Sequence, residues 1–272
     1  MNIQLSVIII TWNAERDVKQ CLDSVMEAIA SRSTEIIVVD NGSTDKTREI
    51  LESYGKHINL ILLKKNNGVA VARNVGMAMA IGEYIWILDV DTIVNGEAVD
   101  GMIEYLEKHP ECGLCACRLQ SERGDVQDSC RRLPYPKNKI RNLLAAKTGK
   151  SILTRKLNDK IKKQNESQFY HAELQRKEPF EAEYVIGACQ MFRKTILDKV
   201  GFLDEKIFYG PEDADFCLRI CRKGYKIVCL PAYCIVHHYN RISNKRIFSR
   251  MSYFHLKGLV YFYVKHKNIS EK

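Results

Sequence analysis

Residues 84–91 read YIWILDVD and decide the fold, because an apolar run ends there in two aspartates, Asp89 and Asp91. A short segment that is apolar on both faces is typical of a strand in a parallel sheet that helices cover on both sides. Open sheets of this kind bind ligands beyond the carboxyl ends of their strands, which is where the two aspartates lie. The segment therefore predicts a buried strand, Tyr84–Leu88, with a binding site directly after it.

Outward from this segment, apolar strand-like runs alternate with segments whose apolar residues recur at helical spacing. The predicted strands are Leu5–Thr11, Glu35–Val39, Ile58–Leu63, Tyr84–Leu88 and Gly113–Arg118. The predicted helices between them are Ala14–Ala30, Thr44–Tyr54, Val69–Ala80 and Gly96–His109. This alternation indicates an α/β fold with a Rossmann-like, mainly parallel central sheet flanked by helices.

The second half of the chain is less regular, and we expect it to pack onto the first half within one continuous domain. Residues 121–136 are predicted to form a long loop, and basic helices are expected within Asn138–Asn165. The other predicted elements are strand Ala182–Ile186, helices Lys194–Val200 and Glu212–Lys223, strands Lys226–Leu230 and Ala232–His237, and a terminal helix, Lys245–Lys267.

The 272-residue chain carries a formal net charge of +9, and its lysines and arginines concentrate in Lys137–Lys163 and Asn244–Lys267. Such a surface suits an anionic partner, whether nucleic acid, a membrane surface or a phosphate-bearing substrate. The chain contains no run of 18 or more apolar residues, so we expect no membrane-spanning segment.

The ten cysteines would indicate a disulfide framework only in a secreted protein. Met1 leads directly into an apolar run without a basic segment or a cleavage site, so we expect a cytoplasmic protein without a secretory signal. Cys112, Cys115 and Cys117 raise the alternative of a zinc site, but no second CxxC pair follows and apolar residues surround them. We therefore predict that they are buried free thiols.

Polar residues follow each of the first four predicted strands, and the carboxyl ends of parallel strands meet at one edge of a sheet. They are Trp12 and Asn13, then Asp40, then Asn67 and Gly68, and then Asp89 and Asp91. Two carboxylates as close as Asp89 and Asp91 repel each other unless a cation lies between them, and their oxygens suit Mg²⁺ or Mn²⁺. A solvated turn or a helix cap is the alternative, but four converging loops favour a ligand and metal site.

Acidic residues also occupy the first turn of the helix predicted at Glu212–Lys223. The helix dipole alone explains acidic side chains at this position, whereas a general base that deprotonates a hydroxyl group is the functional alternative. Asp215 lies four residues before Arg219, so we predict an ion pair between them. Glu212 and Asp213 are then left to face the site.

Two interpretations are open for Arg73 and for the pair His237-His238. Arg73 lies on the helix after Gly68, where it either reaches a bound phosphate or faces solvent as an ordinary surface arginine. His237 and His238 end the last predicted strand, where neighbouring side chains point to opposite faces, so at most one enters the site. A strand-end histidine is often structural, but carboxylates in need of further metal ligands make it a candidate ligand.

In combination these motifs resemble the inverting glycosyltransferases of family 2, which have the GT-A fold. The resemblance runs in the expected order through SVIIITWN at 6–13, VVDNGS at 38–43, NG at 67–68, RNVG at 73–76, LDVD at 88–91, GA at 187–188, VGFLDE at 200–205, EDAD at 212–215 and VHH at 236–238. It implies a nucleotide-sugar-binding half over residues 1–118 and a smaller acceptor-binding and catalytic half over residues 119–272.

The resemblance also implies a role for each motif. The sugar donor would be bound by Thr11, Trp12, Asn13, Asp40, Asn67, Gly68, Arg73, Asp89 and Asp91, with Asp40 on the nucleobase. Asp91 and His237 would hold a divalent metal, Mn²⁺ or Mg²⁺, Asp213 would be the catalytic base, and Gly187, Ala188 and Glu212 would lie on the acceptor side. The expected reaction is a metal-assisted in-line displacement at the anomeric carbon.

The implied partners are a UDP- or dTDP-linked sugar donor and a saccharide or lipid-linked saccharide acceptor, in cell-surface polysaccharide or glycolipid assembly. Within the family, the segment Gln127–Pro134 resembles the rhamnosyltransferase-like branch. A non-catalytic nucleotide-sugar-binding protein and a nucleotidyltransferase are the competing functions. The first would be expected to lose an aspartate of Asp89-Val90-Asp91 or the Glu212-Asp213 pair, and the second would carry a glycine-rich phosphate loop near its start.

We expect no nucleic-acid partner, and we expect the basic helices to contact the inner face of an anionic membrane peripherally. For the terminal helix we expect mainly a structural role, with peripheral membrane attachment as an addition. In that interpretation it covers the core with Tyr253, Phe254, Leu259 and Phe262 and exposes its lysines and arginines.

Overall fold

The computed structural model describes residues 3–135, 169–238, 250–267 and 269, and the basic helices predicted within Asn138–Asn165 lie outside them. In the first half, the strands are β1 (Leu5–Thr11), β2 (Thr34–Asp40), β3 (Asn59–Leu62), β4 (Tyr84–Asp89), β5 (Thr92–Ile93) and β6 (Cys112–Gln120), and the helices are α1 (Val18–Ala28), α2 (Thr47–Ser53), α3 (Val69–Met79) and α4 (Gly96–Lys108). Every strand and helix predicted for this half is present. Helices α1 and α2 begin later than predicted, because Glu15 before α1 is hydrogen-bonded to Asp45 and Lys46 before α2.

The second half departs further from the prediction. Its strands are β7 (Cys130–Arg131), β8 (Phe180–Ala182), β9 (Tyr184–Val185), β10 (Cys189–Arg193) and β11 (Lys226–His237), and its helices are α5 (His171–Leu174), α6 (Thr195–Val200), α7 (Glu212–Arg222) and α8 (Arg250–Lys265). The single strand predicted at Ala182–Ile186 is wrong, since β8 pairs with β11 whereas β9 pairs with β7. Strand β10 was not predicted, because a polar residue, Gln190, interrupts a short apolar segment; its side chain is buried and donates to the Val185 carbonyl.

Within the described residues, nine strands form one sheet in the order β3-β2-β1-β4-β10-β6-β11-β5, with β8 paired to β11. Strands β3, β2, β1 and β4 are parallel, and β10 is antiparallel to both β4 and β6. The short β5, which follows Asp91 directly, is antiparallel to the end of β11 and pairs Thr92 with His237. This pairing brings the end of β11 against the loop after β4.

Helices cover both faces of the sheet, so its central strands are apolar on both sides. On β4, Trp86 packs into the core on one face, whereas Ile85 and Ile87 pack into the core on the other. Burial of a side chain of this size stabilises the fold by about 1.5–3 kcal/mol. All ten cysteines are free, and Cys112, Cys115 and Cys117 are fully buried on β6, which confirms the prediction of structural thiols.

Helix α8 packs against the core on the sheet face that carries Ile85 and Ile87, and it buries only part of its own apolar surface. Leu259 and Phe262 are buried as predicted, but Tyr253 is 63% exposed, so its predicted place over the core is wrong. Tyr253 lies on the opposite side of the helix from Phe262, and one helix cannot bury both faces against a single neighbour. No helix in the described part of the chain is long and apolar enough to cross a membrane.

Candidate active site

One side of a cleft at the carboxyl edge of the sheet is built from the loops after β1, β2 and β3, which we call the loop wall (residues 11–14, 41–44 and 66–68). The Asn13 N–H donates to Ser43 Oγ at 2.9 Å, and the Asn13 side-chain oxygen accepts from the Thr44 N–H at 2.8 Å. Asn13 has φ = +51°, a left-handed conformation that asparagine tolerates better than most residues. The first two loops are thus joined by short neutral hydrogen bonds.

The third loop is joined to the second in the same way. The Asn41 amide donates to the Gly68 carbonyl at 3.1 Å and accepts from the Asn67 N–H at 2.9 Å. Gly68 has φ = +93°, and a side chain there would also meet the Phe208 carbonyl, because an added Cβ would lie 2.7 Å from that oxygen. This position therefore requires glycine.

Asp40 lies beneath the loop wall and is fully buried. Its carboxylate accepts hydrogen bonds from Thr11 Oγ1 at 3.1 Å and from the Ser43 N–H at 3.1 Å, and it forms an ion pair with Arg48 Nε at 2.7 Å. These partners give Asp40 a structural role that its place in the sequence did not reveal. A carboxylate has about four acceptor sites, so a nucleobase remains within its capacity.

The cleft has a volume of about 580 Å³, within the roughly 300–1,000 Å³ typical of small-molecule sites. Of the residues predicted to bind a donor, Thr11, Trp12, Asn13, Gly68, Asp89 and Asp91 line the cleft, whereas Asp40, Asn67 and Arg73 do not. Phe208, Tyr209 and Met251 also line it and were not predicted.

Arg73 is buried and contacts acidic groups and a carbonyl of the protein itself. Its Nη2 lies 2.6 Å from Asp89 Oδ1 and 2.9 Å from the Gly187 carbonyl oxygen, and its Nη1 lies 3.4 Å from Glu212 Oε1. The Asp89 N–H in turn donates to the Ala188 carbonyl at 3.2 Å. Arg73 therefore joins the end of β4 to the start of α7. Of the predicted acceptor-side residues before β10, Ala188 contacts Asp89 directly and Gly187 contacts it through Arg73.

Asp89, Asp91 and His237 place one ligand atom each within 4.8 Å of one another. His237 Nε2 lies 3.3 Å from Asp91 Oδ1, a contact that follows from the pairing of β5 with β11. Two carboxylates and an imidazole are donors that Mn²⁺ accepts, and Mg²⁺ is bound through carboxylates. The residues present therefore fit a divalent metal, and we call Arg73, Asp89, Asp91, Glu212, Asp213 and His237 the charged cluster.

The side chain of Gln127 fixes the orientation of the His237 ring. Gln127 Nε2 donates to the His237 carbonyl at 2.8 Å, so its Oε1 must face His237 Nδ1, 2.7 Å away. Because Oε1 can only accept, Nδ1 carries the proton and Nε2 points toward Asp91. His238 lies elsewhere, with its Nδ1 3.4 Å from Asp17 Oδ1, so His237 is the histidine that the structure brings to the two aspartates.

Burial changes the proton affinity of three groups in the charged cluster. It raises the pKa of the Glu212 carboxyl to about 7, with a further contribution from Asp213 and opposition from Arg73. Burial also raises the pKa of Asp213, which the positive charge of Arg131 opposes. For His237, burial alone would lower the pKa, but its hydrogen bond to Asp91 and the charges of Asp91 and Asp89 raise it. Such displaced pKa values are common at catalytic sites.

The ion pair predicted between Asp215 and Arg219 is confirmed, with Asp215 Oδ2 2.8 Å from Arg219 Nε. Asp215 also contacts Lys265 Nζ at 2.6 Å and His266 Nε2 at 2.7 Å at the end of α8. Asp213 is left only partly buried in the first turn of α7, and its Oδ1 accepts from the Ala214 N–H at 2.7 Å. The three acidic residues of this turn thus have different surroundings.

The family model for glycosyl transferase family 2 matches residues 6–201 of the chain. The poly-beta-1,6-N-acetyl-D-glucosamine synthase of Staphylococcus epidermidis is 33% identical over 111 residues, which is 40% of this chain but only 27% of that protein. The dTDP-rhamnosyl transferase RfbF of Shigella flexneri is 21% identical over 240 residues, which is 87% of this chain and 70% of the relative. The chain therefore spans a small part of the first relative and most of the second.

Two solved structures are similar to this chain at low sequence identity. The mannosyltransferase PcManGT from Pyrobaculum calidifontis, in complex with GDP-Man and Mn²⁺, has a TM-score of 0.62 at 17% identity, over 100% of this chain and 66% of that one. Staphylococcus aureus TarS 1-349 in complex with UDP-GlcNAc has a TM-score of 0.58 at 18% identity, over 99% of this chain and 68% of that one. The likeness shows the GT-A α/β fold and confirms the predicted fold class.

Proposed function

The chain belongs to glycosyl transferase family 2, and on that premise we propose that it transfers a sugar from a nucleoside-diphosphate donor to a hydroxyl group of a saccharide or lipid-linked saccharide. The observation that carries this proposal is the charged cluster. Three candidate metal ligands adjoin a cleft of about 580 Å³, and Arg73 links one of them to the helix turn that bears Asp213. Assembly of a cell-surface polysaccharide or glycolipid fits the synthase named among the relatives.

The loop wall would bind the nucleoside part of a UDP- or dTDP-linked donor. Trp12 is 45% exposed at the cleft and offers an aromatic surface, while Thr11 and Asn13 offer polar groups beside it. Asp40 would accept a hydrogen bond from the nucleobase from below, and Asn67 and Gly68 would close the other end. The names of the similar proteins support donors of this class, since they include a UDP-GlcNAc complex, a GDP-Man complex and a dTDP-rhamnosyl transferase.

Asp91 and His237 would hold a divalent metal, Mn²⁺ or Mg²⁺, with Asp89 beside them. When bound, the metal would stabilise the negative charge that develops on the departing diphosphate. Asp89 shares its Oδ1 with Arg73, so it would act both on the donor and as the link to α7. The Mn²⁺ present in the PcManGT complex supports this assignment.

Asp213 would accept the proton of the acceptor hydroxyl as that oxygen attacks the anomeric carbon. The new carbon–oxygen bond forms on the face opposite the diphosphate, the bond to the diphosphate oxygen breaks, and that oxygen keeps the electron pair, so the anomeric centre is inverted. Burial raises the pKa of Asp213, which brings it closer to the range in which a general base is most effective. Glu212, Gly187 and Ala188 would border the acceptor on this side.

A donor screen tests this function. The full chain is incubated with Mn²⁺ or Mg²⁺ and with UDP-, dTDP- or GDP-linked sugars, and release of the nucleoside diphosphate is measured with and without saccharide acceptors. We expect release with at least one donor, and we expect Asp213→Asn to reduce it by about 10²–10⁴-fold while donor binding remains. Release in Asp213→Asn at the wild-type rate would disprove the assigned base, and no release with any donor would disprove the function.

A further inference from the structure

Helix α8 presents a second apolar face that no described part of the protein covers. Its exposed apolar side chains, which we call the outer stripe, are Tyr253 (63% exposed), Leu256 (59%), Val260 (55%) and Val264 (58%). Their spacing of three or four residues places them in one row along the helix, about 16 Å long at a rise of 1.5 Å per residue. Large apolar side chains on protein surfaces are ordinarily scattered singly, so a continuous row indicates a contact surface.

The charges around the outer stripe are positive. Lys257 lies one turn after Tyr253 on the same face of α8, and Lys267 follows two residues after the helix ends. Both are exposed, and neither forms an ion pair with any of the described residues. The sequence contains no aspartate or glutamate between residues 216 and 270. The acidic groups that contact α8 from other elements, Asp204 and Asp215, are both paired with Lys265. The partner of this face is therefore expected to be anionic.

A row of apolar side chains flanked by exposed lysines suits an anionic lipid surface, into which the apolar groups insert while the lysines meet phosphate headgroups. A second copy of this chain fits less well. Packing two outer stripes against each other about a two-fold axis would bring the same lysines of both copies together without acidic partners. We propose that the outer stripe of α8 docks the protein on an anionic lipid bilayer.

The same helix forms part of the rim of the cleft. Met251 lines the cleft, the Phe254 ring stacks on that of Phe208 with centroids 4.2 Å apart, and His255 contacts Tyr209. Docking through the outer stripe would thus hold the cleft at the lipid surface. The consequence for the reaction, which rests on the proposed function, is an acceptor that is anchored in the bilayer and reaches the cleft past the first turns of α8.

Flotation of the full chain with vesicles tests the docking. We expect binding to vesicles of equal parts phosphatidylcholine and phosphatidylglycerol, and little binding to phosphatidylcholine alone. The variant Leu256→Gln/Val260→Gln/Val264→Gln should bind the mixed vesicles at least about tenfold more weakly, since each change removes an inserting group. The matched control, Leu62→Gln/Met79→Gln/Ile81→Gln, changes exposed apolar residues of the first half and should bind as the wild type does.

The charge component is tested with Lys257→Gln/Lys267→Gln against Lys56→Gln/Lys177→Gln, and only the first pair should weaken binding to the mixed vesicles. Equal binding to both kinds of vesicle, or undiminished binding of the outer-stripe variant, would overturn the proposal. Sedimentation of the wild type without lipid provides a further test. A dimer that the outer-stripe variant loses would assign this face to a second copy instead.

Failure of this proposal and failure of the proposed function are distinguishable. The outer-stripe variant should release nucleoside diphosphate with a water-soluble acceptor at the wild-type rate, because none of its changed residues lines the cleft. Vesicle binding without any sugar transfer would disprove the proposed function alone. Sugar transfer to the soluble acceptor without vesicle binding would disprove the docking proposal alone.

Discussion

The loop wall and the charged cluster form the same cleft, but they are held together in different ways. In the loop wall, side-chain amides and hydroxyls bond to backbone groups of a neighbouring loop, as Asn13 does with Ser43 and Thr44. In the charged cluster, buried ionisable groups depend on one another across long stretches of chain, as Arg73 does with Glu212. The loop wall is held by neutral hydrogen bonds between neighbouring loops, whereas the charged cluster is held by ion pairs between buried groups.

This difference has an energetic consequence. A neutral hydrogen bond contributes about 0.5–1.5 kcal/mol, and when one is lost near a surface water can replace it. A buried charge that loses its partner must stay uncompensated or be neutralised by a proton, and both cost free energy. The charged cluster should therefore respond far more strongly to single substitutions and to pH than the loop wall does.

The largest difference is expected at Arg73. Its replacement in Arg73→Met leaves the buried Glu212 without its cation and leaves Asp89 unpaired, which should lower the free energy of unfolding by about 3–5 kcal/mol. In the loop wall, Ser43→Ala removes the acceptor of the Asn13 N–H and should cost about 1 kcal/mol. Urea unfolding of both variants measures the contrast.

The double variant Arg73→Met/Glu212→Met separates charge from packing, because removing both partners leaves no isolated charge at Glu212. We expect it to recover part of the stability that Arg73→Met loses. Two results would contradict this: an equal fall in the free energy of unfolding in Arg73→Met and Ser43→Ala, or a double variant that is less stable than Arg73→Met. Either result would show that buried charge does not stabilise this side of the cleft.

The sequence predicted the first half well because its signals are local. Continuous apolar strands, helical spacing and polar strand ends correctly indicated the parallel sheet and placed Thr11, Asn13 and Asp89 at one edge. Strand β10 escaped prediction because a buried polar residue, Gln190, interrupts its apolar pattern and is satisfied by a backbone carbonyl nearby. Periodicity alone does not reveal such a contact.

The candidate site could be assembled from motifs, but the partners of its members could not. From the sequence alone Arg73 is equally suited to contact phosphate or solvent, whereas in the structure it contacts Asp89 and Glu212. Gln127 carried no sequence signal for its contact with His237, which lies 110 positions away. These pairings arise from the way β5, β10 and β11 come together, whereas sequence motifs and periodicity report only on residues that are close in the chain.

A smaller effect is expected for metal binding at Gln127. The substitution Gln127→Leu removes the side-chain oxygen that accepts from His237 Nδ1–H, so the imidazole ring is no longer held toward Asp91. We expect Mn²⁺ affinity, measured by calorimetry on the full chain, to fall about 10–100-fold. The matched control is His238→Gln, which changes the neighbouring side chain that pairs with Asp17. An equal loss in both variants would show that the effect is not transmitted through His237.

The smallest effect concerns the pH dependence of stability. The pKa of Glu212 is raised to about 7 in the folded protein, against an ordinary value of 4.5 for glutamate. Between these values the folded state binds a proton that the unfolded state lacks, so the free energy of unfolding falls as the pH rises through this range. The raised pKa values of Asp213 and His237 act in the same direction. The charged cluster should therefore be more stable in mild acid than at neutral pH.

Urea unfolding at pH values from about 5 to 8 tests this sign. In Glu212→Gln the fall in stability with rising pH should be shallower than in the wild type by about 1–2 kcal/mol over the range. The control is Glu52→Gln, which removes an exposed carboxylate of α2 and should leave the slope unchanged. If both variants keep the wild-type slope, Glu212 titrates as an ordinary surface carboxylate does. The contrast between the two sides of the cleft would then rest on ion pairing alone and not on the burial of charge.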